Sequence, residues 1–149
     1  MRVLVTGGSG YIGSVVVERL LQAGHEVAVF DNLERGHRAA LPPETPLTVG
    51  DLRDGAAVRA ALRAARPDAV MHFAAYALVG EAMRRPGMYF DNNVAGGLGL
   101  LEAMRETGVG RLVFSSTCAV YGEPETALID EETPLRPANP YGESKLMCE

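Results

Sequence analysis

The stretch VTGGSGYIG, residues 5–13, closes the β-branched run RVLVT (Arg2–Thr6) and leads into apolar residues at Ile12, Val16 and Leu20. A short β-branched run ended by glycines is the pattern of a buried parallel strand. Apolar spacing of i, i+4, i+8 from Ile12 to Ala23, with Gly24 as a stop, is that of a helix. Strand, glycine turn, helix is the setting in which a glycine pattern becomes specific. The stretch satisfies both Gly8-x-Gly10-x-x-Gly13 and Gly7-x-x-Gly10-x-x-Gly13. Either reading supplies a turn with positive φ, a backbone without Cβ where a pyrophosphate approaches, and free amides at a helix N-terminus.

Working outward, EVAVF (26–30), PLTVG (46–50), DAVMHF (68–73) and RLVFSS (111–116) read as four further strands. Between them lie a helix at GAAVRAALRAA (55–65), ended by Pro67, and a longer one from Pro86 to Thr107. Strands alternating with helices predict an α/β fold, a doubly wound parallel sheet of Rossmann type. No strand pattern follows the fifth, so the sheet is expected to be incomplete at its C-terminal edge and to associate with a second copy. Gly96, Gly97 and Gly99 each cost a helix about 1 kcal/mol relative to alanine and are expected to mark close helix–helix contact. Residues 122–140 are acidic and proline-rich, a loop; Asn139 and Pro140 then suit the N-cap and first position of a helix from Tyr141.

A chain of 149 residues, 47% hydrophobic, is long enough for one domain with a core and too short for two. Its net charge of −5 argues against nucleic acid or an anionic membrane as partner and leaves small molecules and proteins. With no apolar run near ~20 residues and no leader pattern, the chain is expected to be soluble and cytoplasmic. Cys118 and Cys148 have neither zinc nor disulfide-framework spacing. His25, His37 and His72 have no ligand spacing, so no metal is expected, and His72 reads as a core residue.

Asp31 ends the second strand about 20 residues beyond the glycines, where a carboxylate accepts both adenosine ribose hydroxyls. That favours NAD over NADP, with Arg35 and Arg38 nearby as the opposing feature. Asp51, in GDLRD, suits either the adenine amino group or the N-cap of the helix that starts near Gly55. Tyr141 and Lys145, four apart, project from one helix face. An ammonium held near a phenol favours phenolate, which makes the tyrosine a usable general base. Of 14 basic residues, 13 are arginine, and the sole lysine stands at 145. A compact ammonium is not replaceable by a planar guanidinium that holds its proton more tightly. Ser115, Ser116 and Thr117 close the fifth strand, and strand ends are where ligands sit in open α/β sheets.

The segments TGGSGYIG, DNLERGHR, GDLRD, HFAA, VGEA, YFDNNVAG, FSSTCAVYGEP and NPYGESKLMCE together resemble the extended short-chain dehydrogenase/reductases, and among these the UDP-glucose 4-epimerases. The resemblance covers the whole chain. Cys118 and Ala119 stand where related dehydratases usually carry acidic residues, which points away from dehydration. It implies NAD touched by Gly7, Gly10, Tyr11, Ile12, Gly13, Asp31, Asn32, Asp51, Leu52, Phe73, Ala74, Ala75, Asn92 and Lys145. It implies a nucleotide-sugar substrate whose 4-hydroxyl proton Tyr141 takes as hydride leaves. The 4-keto sugar then rotates and is reduced from its other face, with Thr117 hydrogen-bonded to the 4-oxygen and Lys145 on the nicotinamide ribose. Ala77 departs from members that carry a cofactor-contacting lysine there. The resemblance also implies a dimer, and that residues 1–149 are an NAD-binding domain truncated within the Tyr-Lys helix, without the C-terminal substrate domain and of uncertain activity alone. A non-catalytic NAD-binding domain and another nucleotide-sugar enzyme, a decarboxylase or reductase, stay open as alternatives.

Overall fold

Five short runs of apolar residues build the sheet. The computed structural model describes residues 1–124 and 128–149. Strands β1 (Arg2–Thr6), β2 (Glu26–Asp31), β3 (Leu47–Val49), β4 (Ala69–His72) and β5 (Leu112–Phe114) lie parallel in the order β3-β2-β1-β4-β5. Val3 pairs with Val27 and Ala69, and Val5 with Val29 and Met71. Side chains alternate across a strand. Val3, Val5, Val27 and Val29 therefore pack on one face with Val17 of α1 (Tyr11–Gln22) and with Leu41. Leu4, Phe30 and Val70 pack on the other with Val58, Ala61 and Leu62 of α2 (Gly55–Ala65) and Leu100, Ala103 and Met104 of α5 (Gly96–Thr107). Helices on both faces of a parallel sheet that winds outward both ways from β1 make the doubly wound architecture, with its switch point between β1 and β4. These elements, with α5 from Gly99 onward, belong to the first of two compact units, residues 1–74 and 99–115.

Helix α2 settles one ambiguity. Its N-cap is Asp54, whose carboxylate accepts from Ala56 N at 3.0 Å and Ala57 N at 3.1 Å, so Asp51 is not the cap. The helix ends at Arg66 with φ +45°, one residue ahead of Pro67.

The second unit comprises residues 75–98 and 116–149. It holds α3 (Val79–Arg84), α4 (Pro86–Tyr89), a π-helical turn (Phe90–Ala95) leading into α5, a 3₁₀ turn (Cys118–Tyr121) and α6 (Pro140–Leu146). Tyr76, Ala82 and Tyr89 form its core, with Met88 and Tyr141 packed alongside. Asn139 caps α6 by accepting from Gly142 N at 2.9 Å, and Pro140 fills the first helical position.

The helix expected over 86–107 is present as α4, the π turn and α5 in unbroken succession. At two of its glycines the approach is an ordinary van der Waals contact: a Cβ built on Gly97 would lie 3.5 Å from Cys148 Sγ, and one on Gly99 3.5 Å from Leu52 O. Helix α3 has no counterpart in the sequence reading. It is six residues long and begins at Leu78 without a capping side chain, so it carries neither the length nor the start signal by which helices are read. The described part of 122–139 has turns but neither helix nor strand, and residues 125–127 lie outside the described residues. Cys118 and Cys148 are both free thiols. Among the described residues no helix is long and apolar enough to cross a membrane.

Candidate active site

In the first unit, the glycines after β1 divide by what their missing Cβ atoms would meet. Gly7 has φ +71°, and a Cβ there would collide with Ala74 N. On Gly8 it would sit 2.8 Å from the Val29 methyls, and on Gly13 it would collide with Gly7 O. Those three are demanded by the chain's own packing. Gly10 is different: its φ of −80° and ψ of 177° suit any residue, and a Cβ would find only Gly7 O, at 3.3 Å. No side chain caps α1 at Gly10, and Tyr11 and Ile12 beyond it are 90% and 57% exposed. A helix N-terminus without a protein acceptor, beside a position free of side chain, suits a phosphate.

Asp31 is 7% exposed and anchors this loop. Its carboxylate accepts from Ser9 N at 2.9 Å and from Leu33 N at 2.8 Å, which binds the end of β2 to the glycine turn. Each carboxylate oxygen retains a lone pair for a further donor. Leu33 itself has φ +59°, the left-handed region that places its N–H on Asp31. Asn32 Oδ1 accepts from Glu34 N at 3.0 Å, and its Nδ2 donates to Asp51 at 3.3 Å. Asp51 is held by Arg53, which donates through Nε at 2.8 Å, through a terminal guanidinium nitrogen at 2.7 Å and through its backbone N at 2.9 Å. The guanidinium contact, foremost, keeps the Asp51 carboxyl well below the usual carboxylate range. Arg53 was not singled out from sequence, although the DLRD spacing that places it two residues on was in view. Leu52 is buried, and Phe73 and Ala74 run against Gly7. His72 is buried, with Nδ1 2.6 Å from Thr6 Oγ1 and its ring against Phe114, a core residue as read.

In the second unit, Tyr141 lies at the start of α6 and Lys145 near its end. Lys145 is 3% exposed, and burial pushes its ammonium down to about 8. Thr117 caps the 3₁₀ turn, its Oγ1 accepting from Ala119 N at 3.2 Å, which leaves the hydroxyl proton to donate elsewhere. Ser116 Oγ bonds to Glu149, and Ser115 N donates to His72 O at 3.1 Å in the first unit. Asn92 is buried, its Nδ2 donating to Asn93 Oδ1 at 3.0 Å, and Ala77 is exposed. Two residues that sequence reasoning passed over, Asn93 and Ser144, are bonded to each other at 2.9 Å. The doubled asparagine of DNNVAG and the serine three residues after Tyr141 were the available signals.

The glycine turn between β1 and α1 and the doubly wound parallel sheet of the first unit define an α/β protein of Rossmann type. Within that class the chain belongs to the NAD dependent epimerase/dehydratase family, whose model matches residues 3–149. It is similar to the UDP-glucose 4-epimerase of Streptomyces lividans, 54% identical over 96% of this chain and 44% of the relative. It is likewise similar to that of Streptococcus mutans, 55% identical over 100% of this chain and 45% of the relative. A crystal structure of the Thermus thermophilus UDP-glucose 4-epimerase in complex with NAD superposes with a TM-score of 0.94 at 51% identity, covering 97% of this chain and 47% of that one. The chain thus spans about 45% of the length of the curated relatives it matches.

Proposed function

We propose that residues 1–149 supply the NAD-binding and proton-transfer residues of a UDP-glucose 4-epimerase, with the nucleotide-sugar domain lying in sequence outside them. The coverage of 44–45% of the relatives supports the division. The observation that carries the activity is Lys145: the chain's only lysine, 3% exposed, one helical turn after Tyr141.

Gly10 and the first-turn amides of α1 would hold the pyrophosphate of NAD, Asp31 would accept from the adenosine ribose, and Asn32, Asp51 and Leu52 would border the adenine. Phe73, Ala74, Ala75 and Asn92 complete the cofactor's surroundings. NAD, when bound, supplies the hydride acceptor and returns the hydride. Tyr141 Oη takes the proton of the sugar 4-hydroxyl and gives it back after the 4-keto sugar has presented its other face. The Thr117 hydroxyl, its acceptor side committed to Ala119 N, donates to the 4-oxygen. Lys145 would bind the nicotinamide ribose and, one helical turn from Tyr141, would offset the negative charge that develops on the tyrosine oxygen as the proton moves. The substrate is a nucleotide sugar, and the protein acts as a homo-oligomer.

The test is conversion of UDP-galactose to UDP-glucose by the protein as its source makes it, with Tyr141→Phe as background. Tyr141→Phe is expected to lower kcat by about 100-fold or more. Equal turnover by the two proteins would remove Tyr141 from the chemistry.

A further inference from the structure

The turn between β3 and α2 is held by its backbone before the side chains of Asp51 and Arg53 are counted. Gly50 N donates to Asp31 O at 3.1 Å, Asp54 N donates to Asp51 O at 3.0 Å, and the Asp54 carboxylate caps α2. The guanidinium of Arg53 is therefore not needed to shape the turn. Its side chain is 39% exposed and that of Asp51 28%, and an ion pair this open stabilises a fold little. Yet the guanidinium closes on the carboxylate side-on, Nε to Oδ1 at 2.8 Å and a terminal nitrogen to Oδ2 at 2.7 Å. Two parallel bonds of this kind fix the plane of a carboxylate.

An ionised carboxylate offers four acceptor positions, two on each oxygen. On Asp51, Oδ1 serves Arg53 twice, through the backbone N at 2.9 Å and through Nε. Oδ2 serves the terminal nitrogen of Arg53 and Asn32 Nδ2. The four contacts are unequal: those from Arg53 lie at 2.7–2.9 Å, whereas Asn32 stands at 3.3 Å, beyond the ordinary range for such a bond. The Asn32 contact is thus the one that a better donor displaces. The bonds from Arg53 also keep the carboxyl well below the usual carboxylate range, so it stays an acceptor around neutral pH. We infer that Arg53 is a positioning residue for base selectivity: it fixes the Asp51 carboxylate so that the Oδ2 position taken here by the Asn32 amide accepts the adenine amino group of NAD. A lysine would supply the charge without the planar fork. This inference rests on the NAD-binding role proposed above for Asp51.

The test titrates the source-made protein, stripped of nucleotide, with NAD and with its hypoxanthine analogue, which carries a carbonyl oxygen where adenine carries the amino group. Wild type is expected to bind NAD at least about 10-fold more tightly, because the analogue sets an acceptor against a fixed acceptor. Arg53→Ala and Arg53→Lys should each bring that ratio below about threefold, mainly by weakening NAD, with the unfolding midpoint close to that of wild type. Arg53→Lys is the decisive variant, since it keeps the charge and loses the fork. A ratio retained in Arg53→Lys would overturn the inference, because charge alone would then suffice. So would equal binding of the two dinucleotides by wild type, or an equal loss for both in Arg53→Ala, which is what a merely structural role produces. The ratio comes from binding and not from turnover. If the wild-type protein binds NAD without epimerising UDP-galactose, the proposed activity falls by itself and the ratio still decides this inference; a wild-type protein that binds neither dinucleotide overturns both.

Discussion

Replacing Lys145 by methionine should make the NAD-free protein more stable at neutral pH. The ammonium loses its proton at about 8 in the folded chain against an ordinary value of 10.5, and the cause is burial. Between those two values the unfolded chain binds the extra proton, so the lysine's contribution makes stability rise with pH across that window. Below pH 8 the folded protein carries the full cost of a buried charge. A difference of about 2.5 units corresponds to about 3 kcal/mol. Methionine has a similar length and no charge, so Lys145→Met should exceed wild type by up to about 3 kcal/mol at pH 7 and by less than about 1 kcal/mol at pH 10. The assay is urea unfolding of both proteins at the two pH values without cofactor. The pH dependence of the difference isolates the charge from any change in packing and from other groups that titrate alike in both proteins. A variant less stable than wild type at pH 7, or a gap that does not close by pH 10, would refute the reasoning. Arginine offers no way round the cost, since a guanidinium cannot shed its proton in this range. A chain with 13 arginines keeps its one lysine at this buried position.

Four further outcomes are expected. Gly13→Ala should lower stability by more than about 2 kcal/mol because its Cβ would strike backbone, whereas Gly10→Ala should cost under about 1 kcal/mol yet weaken NAD binding at least tenfold; unfolding curves and cofactor titration separate the two. Asp31→Asn should reduce NAD affinity by about 10-fold or more and narrow the preference over NADP, read by titration with both cofactors. Asp54→Ala should remove the α2 cap, costing about 1 kcal/mol in denaturant unfolding and leaving NAD affinity unchanged. Light scattering should show a species larger than the monomer at micromolar concentration, because β5 is an edge strand of the sheet among the described residues and carries Val113 53% exposed.

The fold was legible because its signals are local. The β-branched runs before Gly7 and at Glu26, the glycine turn and the i, i+4 spacing of α1 each lie within a dozen residues; four of the five strands fall within the stretches read for them, and β2 runs one residue past its stretch, to Asp31. Asn139 capping α6 was legible for the same reason, since the cap and the amide it serves are three residues apart. Local reading leaves two alternatives open where two neighbouring carboxylates compete. Asp51 and Asp54 are equivalent as letters, and only the turn between them lets Asp54 reach the α2 amides while Arg53 closes on Asp51.

The site divides along the same line. The glycines, Asp31 and the Tyr-Lys spacing are written in contiguous residues, so the sequence alone places each on its element. What holds the Tyr-Lys helix was not visible, because Asn93 and Ser144 are 51 residues apart and each is unremarkable alone: an asparagine inside a helix, a serine on one. The burial that pushes Lys145 down to about 8 is likewise a property of packing and is invisible in a spacing of four. A motif states which groups meet the substrate; the constraint that makes seven residues of helix a fixed platform is distributed over Tyr76, Tyr89, Asn93 and Ser144. Transplanting Tyr141 and Lys145 to another four-residue spacing would therefore carry over the pair without its placement, and a misplacement of about 1 Å costs on the order of 100-fold in rate.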